Sequence, residues 1–276
     1  MDTLPFGSIY SIVFSPHCAT VVADGIESAN VVGYTQVPVT KSYSILAINF
    51  QNTSGGEIAI KDALPYTEGM TTGGSSSAAD SIQVMNDDGT YTFYYISNGK
   101  AGKASYPATE NKWVKVGAVS AETTDTLKNG KAFWYVSKTF LDDASATPYN
   151  ILVAGQVMAA AADTKEIAQN YMLVGNPYPV EIPLNDGVVV TKGLTTGGSS
   201  SAGDSLQIMQ EDGTYVFYYM SNGNAGKASY PATANKWVKV GAVSTPTTDK
   251  FPIGRGGWFV SKTGDTALQF VKPAAE

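Results

Sequence analysis

The chain has 276 residues, 43% of them hydrophobic and only 15% charged, with a net charge of −6. That length admits one large or two ordinary domains with a substantial core. The low charge with abundant Thr, Ser, Gly, Tyr and Val is the composition of an extracellular β protein. With a single arginine, Arg255, and no basic stripe, the sequence excludes nucleic acid and anionic membrane surfaces as partners, since both demand clustered Lys and Arg.

Residues 1–23 read as a leader or signal-like segment. Residues 9–14 are apolar, and Val21 with Ala23 fits the small positions before a cleavage site, although Asp2 stands where a signal peptide carries Lys or Arg. The apolar run is too short to span a bilayer, so no membrane span is expected. The only histidine, His17, and the only cysteine, Cys18, lie in this leader. Its removal would leave a chain without disulfides, His/Cys metal sites, Ser-His-Asp triads or Cys-His dyads. No cofactor is expected.

Beyond the leader the chain repeats itself. At an offset of 124, residues 69–138 fall on 193–262 with roughly 50 of 70 positions identical. The longest near-identity is "ASYPATENKWVKVGAVS" against "ASYPATANKWVKVGAVS". The match continues more weakly upstream, which gives repeat units at 24–149 and 150–276. A period of this size is a small domain rather than a solenoid turn.

Each unit reads as nearly all β. In "SIQVMN" Ile82 and Val84 share one face, opposite Gln83 and Met85. "DDGTY" opens a hairpin at Asp88-Gly89, where glycine supplies a positive φ. In the following strand Tyr91, Phe93 and Tyr95 share one face and Tyr94 and Ile96 the other. Two apolar faces predict a central strand. "NKWVKV" places Val114 and Val116 together, and the valines are assigned to the core side. Trp113 and Lys115 then fall on the solvent side. "FWYVS" closes the unit, and the Ala-rich residues 159–169 predict a short helix. Seven strands per unit with Gly/Asn/Pro punctuation predict two tandem antiparallel β-sandwiches or partly open barrels related by a pseudo-twofold axis.

The stretches "NVVGY", "LVGNPYPVEI", "DGTYVFYY" and "PIGRGGWFVSK" resemble those of secreted tandem β-repeat proteins from host-associated and gut bacteria of the Verrucomicrobia and Planctomycetes type. The resemblance covers both units. It implies export to the medium or the cell surface and a β fold, and says little of activity.

Three recurring features carry candidate chemistry. "TTGGSSSAADS" and "TTGGSSSAGDS" resemble the active-site loop of two-lobed aspartic peptidases, although Thr71 and Thr195 stand where that family has Asp. The nearby acids Asp80 and Asp204 have the parity of the core residues, so two inward acids sharing a proton would form a dyad. The simpler alternative is an Asx-turn at each strand entrance. "NDDG" and "QEDG" offer oxygens to Ca²⁺ but lack the remaining ligands of a calcium loop, so they read as hairpin turns and no metal site is assigned. Finally, Trp113, Tyr106 and Lys115, with Trp237, Tyr230 and Lys239, form a candidate binding face on which a sugar ring would stack. A Trp packed beneath its neighbouring loop is the competing reading. The leading functional expectation is a binding or assembly protein acting on host glycans or mucin, with self-association open to it. An aspartic-type hydrolase of secreted glycoproteins using Asp80 and Asp204 comes second, and a surface-layer or filament subunit third.

Overall fold

The computed structural model describes residues 32–274 except 168. The leader, with His17 and Cys18, lies outside the described residues. The fold is all-β, built on two five-stranded antiparallel sheets of matching order. In the first, Tyr43–Ala47 is followed across the sheet by Ala132–Val136, Ser81–Met85, Tyr91–Ser97 and Lys112–Lys115. In the second the order is Tyr171–Gly175, Gly256–Val260, Ser205–Met209, Tyr215–Met220 and Trp237–Lys239. Registers match too: Gln83 sits between Phe93 and Trp134, and Gln207 between Phe217 and Trp258. The strand with two apolar faces, Tyr91–Ser97, is interior, as its pattern predicts. No sheet closes into a barrel among the described residues.

The hairpin turns follow from their residues. Gly89, at φ 85°, donates from its N–H to Asn86 O at 3.0 Å, while Asp88 Oδ1 accepts from Thr90 N at 2.9 Å. Gly213 and Asp212 repeat both contacts at 3.0 and 2.9 Å. The "DDG" and "EDG" carboxylates at Asp88 and Asp212 are thus turn acceptors.

Each sheet is covered on one face by a smaller layer. A two-stranded ribbon, Val32–Val39 with Tyr149–Gln156, buries Val37, Val39, Ile151 and Val153 against Leu46, Ile82, Phe133 and their neighbours. The second sheet is covered by three strands, Ala162–Ile167, Thr266–Val271 and Val188–Lys192. The first of these corrects the expected helix at 159–169. Ala162–Ile167 pairs residue by residue with Thr266–Val271, and tertiary pairing overrides the helix preference of the Ala-rich run that leads into it.

The opposite faces of the two sheets meet in a third core, where Ile45, Ala47, Met85 and Ala132 pack with Leu173 and Met209. Backbone contacts across this seam are reciprocal. Ala47 N donates to Gly254 O at 2.9 Å, and Gly175 N donates to Gly130 O at 3.1 Å. The chains approach so closely that a Cβ on Gly175 would lie 2.2 Å from that of Ala47, which requires glycine at this crossing.

Candidate functional site

The Gly/Ser segments at 71–81 and 195–205 lead into the strands that begin at Ser81 and Ser205, and they are tied down along their length. Gly73 N donates to Ile96 O at 3.0 Å and Gly73 O accepts from Asn98 N at 3.1 Å. A Cβ on Gly73 would come within 2.4 Å of Ala78 O. The segment ends at an acid that is fully buried in both halves, Asp80 and Asp204. Their inward parity is as read from the sequence.

The acids do not form a pair. Asp80 Oδ2 accepts from Tyr135 Oη at 2.5 Å and Tyr149 Oη at 2.6 Å, and its Oδ1 accepts from Lys138 N at 2.7 Å. Asp204 accepts from Thr195 N and Lys262 N, both at 2.8 Å. Among the described residues neither acid exchanges a hydrogen bond with the other, and every partner named belongs to the acid's own half. Burial raises both carboxyls above the ordinary value of 3.8, while their hydrogen bonds act in the opposite direction. A buried carboxylate whose two oxygens both accept hydrogen bonds at a strand entrance is a structural device. The geometry supplies neither a shared proton nor a position for an attacking water.

The two tryptophans require a correction. Trp113 and Trp237 are each 1% exposed, on the core side of their strands. Trp113 Nε1 donates to Leu64 O at 2.6 Å, and Trp237 Nε1 to Val188 O at 2.7 Å. Both faces of each sheet carry apolar residues, so alternation identifies which residues share a face without saying which face is sealed. Lys115 is held at 2.9 Å from Asp125, whose carboxylate also accepts from Tyr94 Oη at 2.6 Å. Lys239, Asp249 and Tyr218 repeat this arrangement at 3.0 and 2.7 Å. Tyr106 and Tyr230 are half-buried, each preceding a short 3₁₀ turn at Pro107–Thr109 or Pro231–Thr233. The proposed stacking set is therefore not assembled around exposed tryptophans.

On the valine side of the same strands Val114 and Val238 are buried, and only the end at Val116 and Val240 lies open. Phe93 is 41% and Val116 48% exposed, and Phe217 and Val240 have the same values. Val116 N donates to Phe93 O at 2.9 Å, and Val240 N to Phe217 O at 2.9 Å, so each pair is side by side. Tyr91 lies 6.4 Å from Phe93 and Tyr215 lies 6.2 Å from Phe217, ring centre to ring centre, extending each patch toward the seam. The sequence contained the signal, since Tyr91 and Phe93 share one face and Val114 and Val116 another run of alternation; the core assignment holds for Val114 and Val238 and fails at Val116 and Val240, where the strand runs past its cover.

Among the described residues no group of three His, Cys, Asp or Glu is placed to hold a metal ion, and no helix is long and apolar enough to cross a membrane. No protein-family model, curated protein or solved structure matches the chain.

Proposed function

We propose that this is an exported or cell-surface protein that works by binding, presenting two like aromatic faces to a glycan or glycoprotein. The observation that carries this reading is the duplicated open patch of Phe93/Val116 and Phe217/Val240. A half-exposed Phe beside a Val leaves a flat apolar surface of the kind that stacks on the C–H face of a sugar ring. Two such surfaces on one chain raise avidity through effective concentration, with no need for a strong single contact. Asp80 and Asp204, buried and hydrogen-bonded within their own halves, fit a binding scaffold better than a hydrolase.

The test is mucin and glycan-array binding by Phe93→Ala, Phe217→Ala and the double variant, alongside melting curves. Each single change is expected to weaken binding and the double change to lower it more than about tenfold. Melting should be almost unchanged because both rings are exposed. Undiminished binding by the double variant overturns the reading. Concentration-dependent light scattering that vanishes in the double variant, without glycan binding by the parent protein, would assign the faces to self-association instead.

A further inference from the structure

A cleft of about 490 Å³ lies at the seam between the two halves, within the size range of small-molecule sites. Its lining brings together Lys128, Lys131 and Lys165 with Glu57, Asp87, Asp163 and Glu166. Lys131 Nζ stands 3.5 Å from Asp87 and Lys165 Nζ 2.6 Å from Asp163. Met158 and Met172, which belong to the same core, supply the apolar side of the cleft. Three ammonium groups against four carboxylates leave no positive excess to attract an anion, yet donors and acceptors alternate closely.

Asn129, also in the lining, is only 9% exposed, and its Oδ1 has no hydrogen-bond partner. Its amide nitrogen faces the Met158 sulfur at 3.3 Å, a weak acceptor. Asp163 Oδ2, in the same lining, stands 2.6 Å from Lys165 Nζ but is not aligned for a hydrogen bond, so two buried oxygens of one cleft lack a donor. An unmet buried polar group is costly, and a bound polar group is one way a native fold meets it. The second half shows that the fold does not demand it. At the aligned positions Pro252, Ile253 and Arg255 replace Lys128, Asn129 and Lys131. Arg255 there is buried and donates to Pro38 O at 2.9 Å.

We propose that this cleft is a saccharide site, in which Asn129 and the Lys131–Asp87 and Lys165–Asp163 pairs hydrogen-bond the hydroxyls of one sugar residue while Met158 and Met172 meet its C–H face. A hydroxyl gives and accepts at once, which suits neighbouring ammonium and carboxylate groups. The proposal rests on the reading of the protein as a glycan binder and adds a second, polar subsite to its open aromatic faces.

The experiment is an NMR titration of the ¹⁵N-labelled full chain with galactose, N-acetylglucosamine and fucose, and separately with inorganic phosphate. Saturable shifts of the Asn129 side-chain amide and of the Lys131 and Lys165 backbone amides with a neutral sugar are expected. Asn129→Ile, which copies the second half, should weaken that titration about tenfold or more. Lys131→Met serves as a second variant should the first fail to fold. No saturable shift with any sugar, a response to phosphate alone, or equal binding by a folded variant overturns the proposal. Shifts confined to the amides of Phe93, Val116, Phe217 and Val240 would report the aromatic faces and not the cleft, so failure of the aromatic-face reading and failure of the cleft are separately visible.

Discussion

Asp80 and Asp204 occupy the same place in two nearly identical sheets, yet they are held differently. The backbone donor after the neighbouring strand is retained, Lys138 N in one half and Lys262 N in the other. The hydroxyl donors are not. Tyr135 aligns with Phe259, and Tyr149 reaches both Asp80 and Ser137, whereas Ser261 pairs with Thr266 at 2.5 Å. The first half thus locks its covering ribbon to the sheet through a buried Tyr–Asp–Tyr cluster. In the second half the covering layer is held by a third strand and by apolar packing, including Phe251 against Phe270 at 5.6 Å. The comparison teaches that the backbone-capped acid belongs to the shared scaffold, while what surrounds it is set by the layer above.

The largest effects should show where the halves are alike. Trp113→Ala and Trp237→Ala each remove a buried indole and leave a carbonyl without its donor, and each should cost about 3–5 kcal/mol in urea unfolding. Nearly equal costs are expected; a difference of several kcal/mol would break the equivalence of the two cores. A smaller but unequal pair comes from the acids. Asp204→Ala leaves two backbone N–H groups without their acceptor, at a loss of about 2 kcal/mol. Asp80→Ala does the same to its backbone donors and also removes the charged acceptor of Tyr135 and Tyr149, which keep only each other and Ser137, so a loss about 1 kcal/mol larger is expected. Equal losses would show that the tyrosine cluster adds nothing.

The smallest effect is in the pH dependence. Burial places the folded carboxyls of Asp80 and Asp204 above the unfolded value near 3.8. The fold therefore binds their protons more tightly than the unfolded chain does. Their contribution favours the folded state below 3.8 and is lost as pH rises through the raised values. Asp125 and Asp249 are lowered, the first mainly by the Tyr94 and Lys115 hydrogen bonds and the second by Tyr218 and Lys239 against its burial. They act in the opposite sense, stabilising above 3.8 and losing that stability as pH falls through their folded values. In stability profiles above pH 3.8, Asp80→Asn should gain relative to the parent protein as pH rises. A parallel profile would mean that Asp80 does not titrate differently on folding.

Much of this architecture was legible in the sequence. The alternation at Ile82 and Val84, the glycine at 89 and the two apolar faces of the strand at 91–97 led to the hairpin and its interior position. The inward aim of Asp80 and Asp204 followed from the same alternation. The burial of Trp113 did not, because it depends on residues 60–64 lying over its face, and a long-range covering leaves no local periodic trace. The strand at 162–167 was hidden for a related reason: its alternation is weak, and its partner lies a hundred residues onward. The Asn129 cleft depends on the seam, which no single repeat contains.

The unequal covering layers have a consequence for assembly during synthesis. Strands such as Ser81–Met85 and Ser205–Met209 are close enough in sequence to be mistaken for one another, and tandem repeats of this similarity misassemble by exchanging equivalent strands. The layers laid over them share little: Tyr149–Gln156 reads "YNILVAGQ", while Thr266–Val271 reads "TALQFV". Each cover closes its core with its own contact, the ribbon through Tyr149 on Asp80 and the three-stranded layer through Phe270 on Phe251. The divergent outer strands thus act as an address label, telling two interchangeable sheets apart while the chain is still choosing its partners.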